Sequence, residues 1–496
     1  MLSLIVFLPL AAALVLGFVP RIGDTVARWA WVAVAFVDLL LVIGVWARYD
    51  APATGALSFE ERLPWIPGVG SSYHVGVDGL SLPLLVMSAA LFLACAVYSL
   101  GQTDRPRLNG ALFLFLQSVS LGLFVSADLI LFFVFFDLSI VGMYFVIAGW
   151  GHENAARSAL KFFLYTFLGS LALLVGFIGL YVAAAPHTFD MVELTRTNPL
   201  AGHPLIGGLV LAAILVGLAV KTPTVPFHTW LPPAHTDAPA TGSAILAGVL
   251  LKMGTYGFVR IAMPMLPEAW RSWAWVVVVV GVVSVLYGAL VALAQTNLKR
   301  MVAYTSVNHM GYVVLAVGAA GVSTQDSAQA RGVAVTGAVT QMVSHGLVTG
   351  ALFLLAGVLH DRARTYDMDS FGGLAGPAPR LAALFAVGSF ASLGLPGLSG
   401  FIAELQIFTG SVAVAPVTAV ALLGILVTAA LFLRALQRIF TGETRGVSMG
   451  FTDLRPAELW SVGALLVLSL GIGVLPRLLL DLIEPAANAV STLVGR

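Results

Sequence analysis

Several ionisable side chains lie inside runs of apolar residues, where a charge is costly. Asp137 lies within LILFFVFFDLSIVGMYF, and His345 lies within QMVSHGLVTGALF. A charged side chain costs roughly 2.5–3.5 kcal/mol at the centre of a membrane helix, so its presence there indicates a function. The candidate residues are Asp137, Lys221, Lys252, His309, His345 and Glu404, with His228 as a further candidate.

The chemistry that these residue types share is proton transfer. Carboxyl, imidazole and amine groups can each accept and release a proton once their surroundings have tuned their pKa. Only four lysines stand against 21 arginines, and two of the four, Lys221 and Lys252, lie within spans. Arginine stays charged, whereas a buried lysine can release its proton. The pattern predicts a proton relay; the alternative for a lone histidine such as His309 is a hydrogen bond in the core. Asp38 is left out, because no helix break or basic residue lies near it in sequence.

Two apolar runs are interrupted by prolines and glycines. Residues 218–239 read LAVKTPTVPFHTWLPPAHTDAP, so a helix that ends near Lys221 is followed by five prolines. The second interruption, SLGLPGLSGFIAEL, leads into Glu404. Irregular backbone is tolerated inside a membrane only where it packs against protein or lines a hydrated cavity. We therefore expect both breaks to let water reach the ionisable groups beside them.

Composition places the chain among membrane proteins. Its 496 residues are 59% hydrophobic and only 10% charged, with a mean hydropathy of +0.97. The net charge is +1 and no basic cluster is present, which argues against nucleic-acid binding. The single cysteine, Cys95, excludes an internal disulfide and a cysteine-ligated metal cluster. The apolar N-terminus lacks a positively charged start, so we interpret it as a retained first span and not as a signal peptide.

The apolar runs predict an all-α integral membrane protein with about fourteen transmembrane helices. The predicted spans are 2–19, 27–46, 82–100, 111–126, 129–149, 159–184, 205–222, 241–262, 272–293, 302–320, 333–358, 381–411 with a break, 414–433 and 457–476.

The broken spans are the seventh and the twelfth, five spans apart. Because five is odd, equivalent units made of spans 4–8 and 9–13 would be inserted in opposite orientations, as in many transporters. The predicted segments are an N-terminal three-helix segment 1–110, an inverted repeat 111–262, a second repeat 272–440, and a C-terminal loop with the last span, 441–496.

Orientation follows from the basic residues in the loops. Loops after odd-numbered spans carry 15 lysines and arginines, against 8 in the other loops and the C-terminal tail. Cytoplasmic loops carry the excess of positive charge. This distribution predicts that the odd loops are cytoplasmic and that both termini face the outside of a bacterial cytoplasmic membrane.

Longer stretches carry a family likeness. KTPTVPFHTWLPPAHTDAP and GSAILAGVLLKMGTYGFVR, with NLKRMVAYTSVNHMGYV, QMVSHGLVTGALFLLAGVLHDR and GLPGLSGFIAELQIF, resemble the antiporter-like subunits of respiratory complex I. WIPGVGSSYHVGVDGLSLPL and KFFLYTFLGS agree with them, so the likeness extends over nearly the whole chain. Within the family it is greatest to chain M, also called subunit 4.

The resemblance implies roles for the candidate residues. Lys221 would be the central lysine of the first half-channel, with Asp137 in the place of the family's paired glutamate. Lys252 and His345 would bridge the two half-channels, and Glu404 would end the second. The resemblance further implies that the chain binds no cofactor itself. FMN, iron–sulfur clusters and quinone would be bound by other subunits of the complex.

The expected function is therefore proton export coupled to electron transfer from NADH to quinone, as one subunit of an enzyme complex. Its partners would be neighbouring antiporter-like membrane subunits, together with lipids that cover its apolar surface. The same module also occurs in multisubunit cation/proton antiporters, membrane-bound hydrogenases and inorganic-carbon uptake complexes, which remain alternatives. A non-conducting structural subunit is disfavoured, because inert spans do not keep lysines, carboxylates and helix breaks.

Overall fold

The computed structural model describes residues 1–52, 56–322 and 327–495. Twelve helices in these ranges are long and apolar enough to span a membrane, which confirms the all-α membrane class. Leu2–Phe18 and Ser399–Val414 are apolar but shorter. The helices are α1 (Leu2–Phe18), α2 (Asp24–Trp46), α3 (Leu82–Tyr98), α4 (Pro106–Val125), α5 (Leu129–Trp150), α6 (Ala155–Ala183), α7 (Met191–Thr197), α8 (Pro204–Lys221), α9 (Leu231–Asp237), α10 (Ala240–Met265), α11 (Pro267–Leu293), α12 (Leu298–Ala320), α13 (Ala328–Ala363), α14 (Pro379–Ser392), α15 (Ser399–Val414), α16 (Leu423–Phe440), α17 (Pro456–Val474) and α18 (Arg477–Gly495). The count of fourteen spans and the two inverted units stay predictions.

Both predicted helix breaks are present. Helix α8 ends at Lys221, and helical structure resumes at Leu231 after a segment that contains Pro223 and Pro226. Helix α14 ends at Ser392, and α15 begins at Ser399. Proline supplies no backbone donor, and Gly394 adopts a φ of 75° that continues no helix. Each break therefore lies beside a titratable side chain, Lys221 at the first and Glu404 at the second.

Helix α10 contains two wider turns, at Leu246–Leu250 and Phe258–Ala262, where the backbone adopts π-helical geometry. Such turns release a backbone carbonyl from the usual hydrogen-bond pattern, and they occur frequently at functional sites. Gly254 lies between them, and a β-carbon there would collide with Thr222 at the end of α8. The absence of a side chain at Gly254 thus lets α10 pack directly against the first break.

A two-stranded hairpin departs from the all-α expectation. Strands β1 (Ser58–Ile66) and β2 (Ser71–Val77) pair antiparallel, and Asp128 at the start of α5 accepts hydrogen bonds from the hairpin. Buried His74 bonds Asp190 at 2.8 Å and Glu60 at 2.9 Å. Burial opposes its charge, but those hydrogen bonds and carboxylate charges raise the pKa of His74. Contacts distant in sequence hold this hairpin, so its short strands could not be predicted from periodicity.

Helix α18 was not predicted either. Its buried side chains recur every three or four residues, as in Leu479, Ile483 and Ala487, which is the pattern of an amphipathic helix. The backbone oxygen of Val494 accepts a hydrogen bond from Arg271, at the start of α11, and Asn488 packs beside Gly332, at the start of α13. Because it contacts the ends of several helices, we interpret α18 as lying across one end of the bundle.

Both chain termini lie at the end of the bundle that carries the hairpin. The amino group of Met1 hydrogen-bonds to Glu61 of β1, and α18 packs against Gly79, which follows β2. Which face of the membrane this end occupies stays a prediction, and Arg496, counted in the C-terminal tail, lies outside the described residues.

Candidate functional site

A lysine–histidine contact lies at the centre of the site. Lys252 Nζ in α10 is 2.6 Å from His345 Nδ1 in α13, and both side chains are almost fully buried. Lys252 also donates a hydrogen bond to the backbone oxygen of Ala247, within the first π-helical turn. A β-carbon on Gly346 would collide with the backbone oxygen of Gly248, so the two helices approach at glycines. The close approach of the α10 and α13 backbones therefore brings the Lys252 amine into contact with the His345 imidazole.

The geometry of this contact restricts the protons that it can hold. A hydrogen bond between an amine nitrogen and an imidazole nitrogen needs one donor and one acceptor, so Lys252 and His345 cannot both be fully protonated while it persists. Two positive charges at this distance in a buried site would also repel strongly. The contact is therefore suited to sharing one mobile proton, and the two groups titrate as a pair.

The pair continues to a second histidine. The rings of His345 and His309 lie 5.4 Å apart in an edge-to-face arrangement. His309 Nε2 is 3.1 Å from the backbone oxygen of Ser392, the last residue of α14. Within the described part of the chain, no hydrogen-bond partner is present for His345 Nε2 or His309 Nδ1, although both nitrogens are buried. His345 and His309 therefore extend from the centre of the bundle to the second helix break. Each keeps one ring nitrogen available for a further hydrogen bond.

A small cavity connects the histidines to Glu404. Its lining includes His309, Ser344, His345, Ser392 and Glu404, and it has room for about one water molecule. A single water between these groups would complete a hydrogen-bonded path, because water can donate and accept at once.

Glu404 itself lies against the second break. Its carboxylate is buried and packs on Gly394, where a β-carbon would collide with a carboxylate oxygen. The start of α15 is fixed by Ser399, whose hydroxyl lies 2.7 Å from Ser344 and 2.7 Å from Ser469. The break therefore leaves space for the Glu404 carboxyl group. It also fixes the start of α15, the helix that carries Glu404.

Lys221 forms the other part of the site. Its Nζ donates to Ser139 Oγ at 2.9 Å and lies 4.7 Å from the ring centroid of Phe136. Asp137, on the same turn of α5, is half-buried and feels the charge of Lys221, yet it lies beyond the 4 Å of an ion pair. The aspartate is therefore a neighbour of the lysine without being its direct partner.

The structure places His228 away from these groups. Its ring packs against Tyr287 of α11 and Tyr304 of α12, at 5.0 and 6.3 Å between centroids. Its electrostatic neighbour is Lys161 of α6, not the central pair. Of the seven candidates, Lys252, His345, His309 and Glu404 form one continuous group, Lys221 and Asp137 form a second, and His228 lies apart.

Two buried groups escaped the sequence analysis. His235 in α9 is fully buried, and neither ring nitrogen has a hydrogen-bond partner. Lys299, counted with the loop after span 9, is fully buried at the start of α12. Two features of the sequence could have identified them. His235 is the second histidine of the proline-rich stretch, and Lys299 is one of only four lysines, three of which are buried.

Comparison with known proteins places these residues in a family. The sequence profile described as NADH:quinone oxidoreductase/Mrp antiporter, TM matches residues 126–432. NAD(P)H-quinone oxidoreductase chain 4 1 of Nostoc sp. is 38% identical over 96% of this chain and 88% of its own length. NADH-quinone oxidoreductase subunit M of Rickettsia prowazekii is 37% identical over 97% of this chain and 96% of its own.

Solved structures agree with the sequence relatives. A chain of respiratory complex I from Thermus thermophilus with bound NADH superposes with a TM-score of 0.89 at 30% identity, and all of both chains is covered. A chain of the Mrp complex from Dietzia sp. gives a TM-score of 0.86 at 22% identity, over 100% of this chain and 99% of the other. The second likeness shows a common fold alone.

Proposed function

Because the chain belongs to the family of antiporter-like membrane subunits described as NADH:quinone oxidoreductase/Mrp antiporter, we propose that it is the proton-translocating subunit M of an NADH:quinone oxidoreductase. The observation that carries the proposal is the buried contact between Lys252 and His345, which continues through His309 and a cavity to Glu404. Every member of this series can accept and release a proton.

Protons would move along the series in one direction. A proton released by Lys221 reaches the shared site of Lys252 and His345, passes to His309, and reaches Glu404 through the cavity. Each group accepts one proton and then releases one, so no other co-reactant is needed. The groups of the series lie on different helices. Small shifts of α10, α13 or α15 would therefore make or break the contacts between them.

Asp137 would control the release of the proton from Lys221. A carboxylate close to the ammonium group favours the protonated lysine, and withdrawal of the carboxylate favours release. Moving the two charges from about 4 Å to about 8 Å at an effective dielectric near 20 changes their interaction by about 2 kcal/mol. The separation beyond 4 Å in this structure fits the state in which the lysine is not held by the aspartate.

The chemistry of the groups favours protons over sodium ions. Sodium is a hard cation that takes oxygen ligands, as calcium and magnesium do, whereas the central contact of this site joins two nitrogen-bearing groups.

The surroundings of the chain follow from the same proposal. Its partners would be neighbouring antiporter-like subunits, with lipids on the exposed leucine, valine and phenylalanine side chains. NADH, FMN, iron–sulfur clusters and quinone would bind to other subunits. The chain would lie in a bacterial cytoplasmic membrane with both termini outside, as its loop charges indicate.

The assembly can be tested by affinity purification of the tagged chain in mild detergent, followed by mass spectrometry. We expect NADH-binding, iron–sulfur and quinone-site subunits to purify with it. Recovery of only other membrane chains, or of a hydrogenase or a carbon-hydration protein, would contradict the assignment to an NADH:quinone oxidoreductase. NADH-driven proton uptake into inverted vesicles from the same cells then measures the activity.

The contact between Gly394 and Glu404 gives a further prediction. Gly394→Ala should lower NADH-driven proton uptake, because the new methyl group displaces the Glu404 carboxyl and a positive φ costs about 1–2 kcal/mol in any L-residue. Gly397→Ala is the matched control, since its φ of 95° gives similar strain but its β-carbon would meet no neighbouring atom within 4 Å. Equal proton uptake in the two variants would show that the position of Glu404 does not matter.

A further inference from the structure

Two histidines and a tyrosine form a cluster at the end of the bundle opposite to the hairpin. His152 lies in the turn between α5 and α6, His360 lies near the end of α13, and Tyr366 follows that helix. The hairpin contacts the start of α5, whereas His152 follows its end. A helix of 22 residues is about 33 Å long, so the cluster and the hairpin lie on opposite faces.

The three rings pack against one another within this cluster, and those of His360 and Tyr366 are stacked. The centroids of His152 and His360 are 4.4 Å apart, and those of His360 and Tyr366 are also 4.4 Å apart, with an interplanar angle of 16°. His152 Nε2 lies 3.2 Å from the hydroxyl oxygen of Tyr366. Both histidines are half-buried, while Tyr366 is 8% exposed. The cluster therefore joins an aqueous face to the interior through groups that exchange protons.

The inner side of the cluster contacts Lys299. Its Nζ lies 5.1 Å from the ring centroid of Tyr366 and donates a hydrogen bond to the backbone oxygen of Ala238. The backbone nitrogen of His152 donates to the backbone oxygen of Asp237 at 2.7 Å. The cluster is thus fixed to the end of α9, two residues from His235.

His235 lies near groups of both this cluster and the central pair. Its electrostatic neighbours are Lys299 and Lys252, and His345 feels its charge in turn. Its ring stacks on Phe353 at 4.5 Å, which fixes its plane, while both ring nitrogens are unpartnered. A buried imidazole with two free nitrogens can take a proton on one and release it from the other.

We propose that His152 and His360, with Tyr366, form the proton-uptake site of this subunit, from which Lys299, His235 and Lys252 lead to Lys221, the group that later releases the proton. The inference rests on the proposed function and names where its protons come from. Each transfer makes one N–H or O–H bond and breaks one, so protons are conserved along the path. The charged groups that face the two histidines are Lys299 and Arg364; Asp237 and Asp361 in turn face Lys299.

The protonation state of His152 suits it to transfer a proton and not to retain one. Burial, together with the charges of Lys299, His360 and Arg364, lowers the pKa of His152 to about 4. Its imidazole is therefore neutral at pH 7 and has a nitrogen that can accept a proton. The hydrogen bond between His152 Nε2 and the Tyr366 hydroxyl group connects His152 to the inner side of the cluster.

The test uses the whole complex in inverted membrane vesicles. The double variant His152→Ala with His360→Ala should lower NADH-driven proton uptake at least about tenfold, because a positioned proton carrier contributes about 10²–10⁴ in rate. The matched control is His187→Ala with His203→Ala, which removes two exposed histidines from the opposite face. Imidazole added to the buffer should restore uptake in the first variant and change nothing in the control.

The outcomes of these measurements separate the uptake site from the proposed function. Normal uptake in the first double variant would overturn the uptake site, and so would a failure of imidazole to restore uptake in an assembled complex. Tyr366→Phe keeps the ring stack and removes only the hydroxyl group, so it should slow uptake without disturbing the fold. If Lys221→Ala abolishes proton uptake while the double histidine variant and Tyr366→Phe take up protons normally, only the uptake site is wrong. If Lys221→Ala also takes up protons normally, the proposed function is wrong.

Discussion

Replacing Lys221 with alanine is expected to lower NADH-driven proton uptake at least about tenfold in inverted vesicles, a loss that corresponds to about 1.4 kcal/mol or more in the transfer barrier. The physical reason is that alanine cannot carry a proton, and Lys221 is the buried base at the first break. Its hydrogen bond to Ser139 and its contact with Phe136 would be lost too, but both are local to one turn of α5. The complex should therefore still assemble.

Lys161→Ala is the matched control for this change. Lys161 is also a lysine in a long apolar helix, but its side chain is exposed, so its removal should leave proton uptake unchanged. Assembly is checked by mass spectrometry of the purified complex, and uptake is followed with a pH-sensitive dye. Proton uptake at the wild-type rate in an assembled Lys221→Ala complex would remove Lys221 from the path.

Replacing Glu404 with glutamine should have an effect of similar size. Glutamine keeps the shape of the side chain and its packing on Gly394, but it cannot bind and release a proton. Protons would then reach His309 and stop at the cavity, because the Glu404 carboxyl group that lines it is gone. We expect NADH-driven proton uptake to fall at least about tenfold, as expected when a positioned proton carrier is lost.

Glu443→Gln provides the comparison for Glu404→Gln, since Glu443 is exposed in the loop after α16. That variant should take up protons at the wild-type rate. The two measurements are made on vesicles with equal amounts of assembled complex. If Glu404→Gln and Glu443→Gln behave alike, proton transfer does not pass through the cavity beside the second break.

The sequence predicted the features that depend on local chemistry. Apolar runs of about twenty residues predict membrane helices, and the prolines and glycines clustered around Pro223 and Gly394 predict interruptions, so the membrane class and both breaks were predictable. Asp137, Lys221, Lys252 and Glu404 stood out because a charge among apolar residues is rare. Their functional roles stay proposals, which the experiments above test.

The features that the sequence could not predict depend on contacts distant along the chain. The contact between Lys252 and His345 joins residues 93 apart, and it exists because Gly248 and Gly346 let two helices touch. Lys299 looked like a loop residue, since it lies beside Arg300 at a helix start. Its burial follows from the packing of α12 against α9 and Tyr366, which periodicity does not report.

The central claim is that the shared proton of Lys252 and His345 is carried between the two parts of the site. The most direct measurement is the initial rate of NADH-driven proton uptake per assembled complex in Lys252→Met, with NADH oxidation recorded in the same vesicles. Methionine keeps an unbranched side chain of similar length but binds no proton. We predict that proton uptake falls at least about tenfold, because the carrier at the junction is gone. Wild-type proton uptake, with the wild-type number of protons per NADH, would contradict the account.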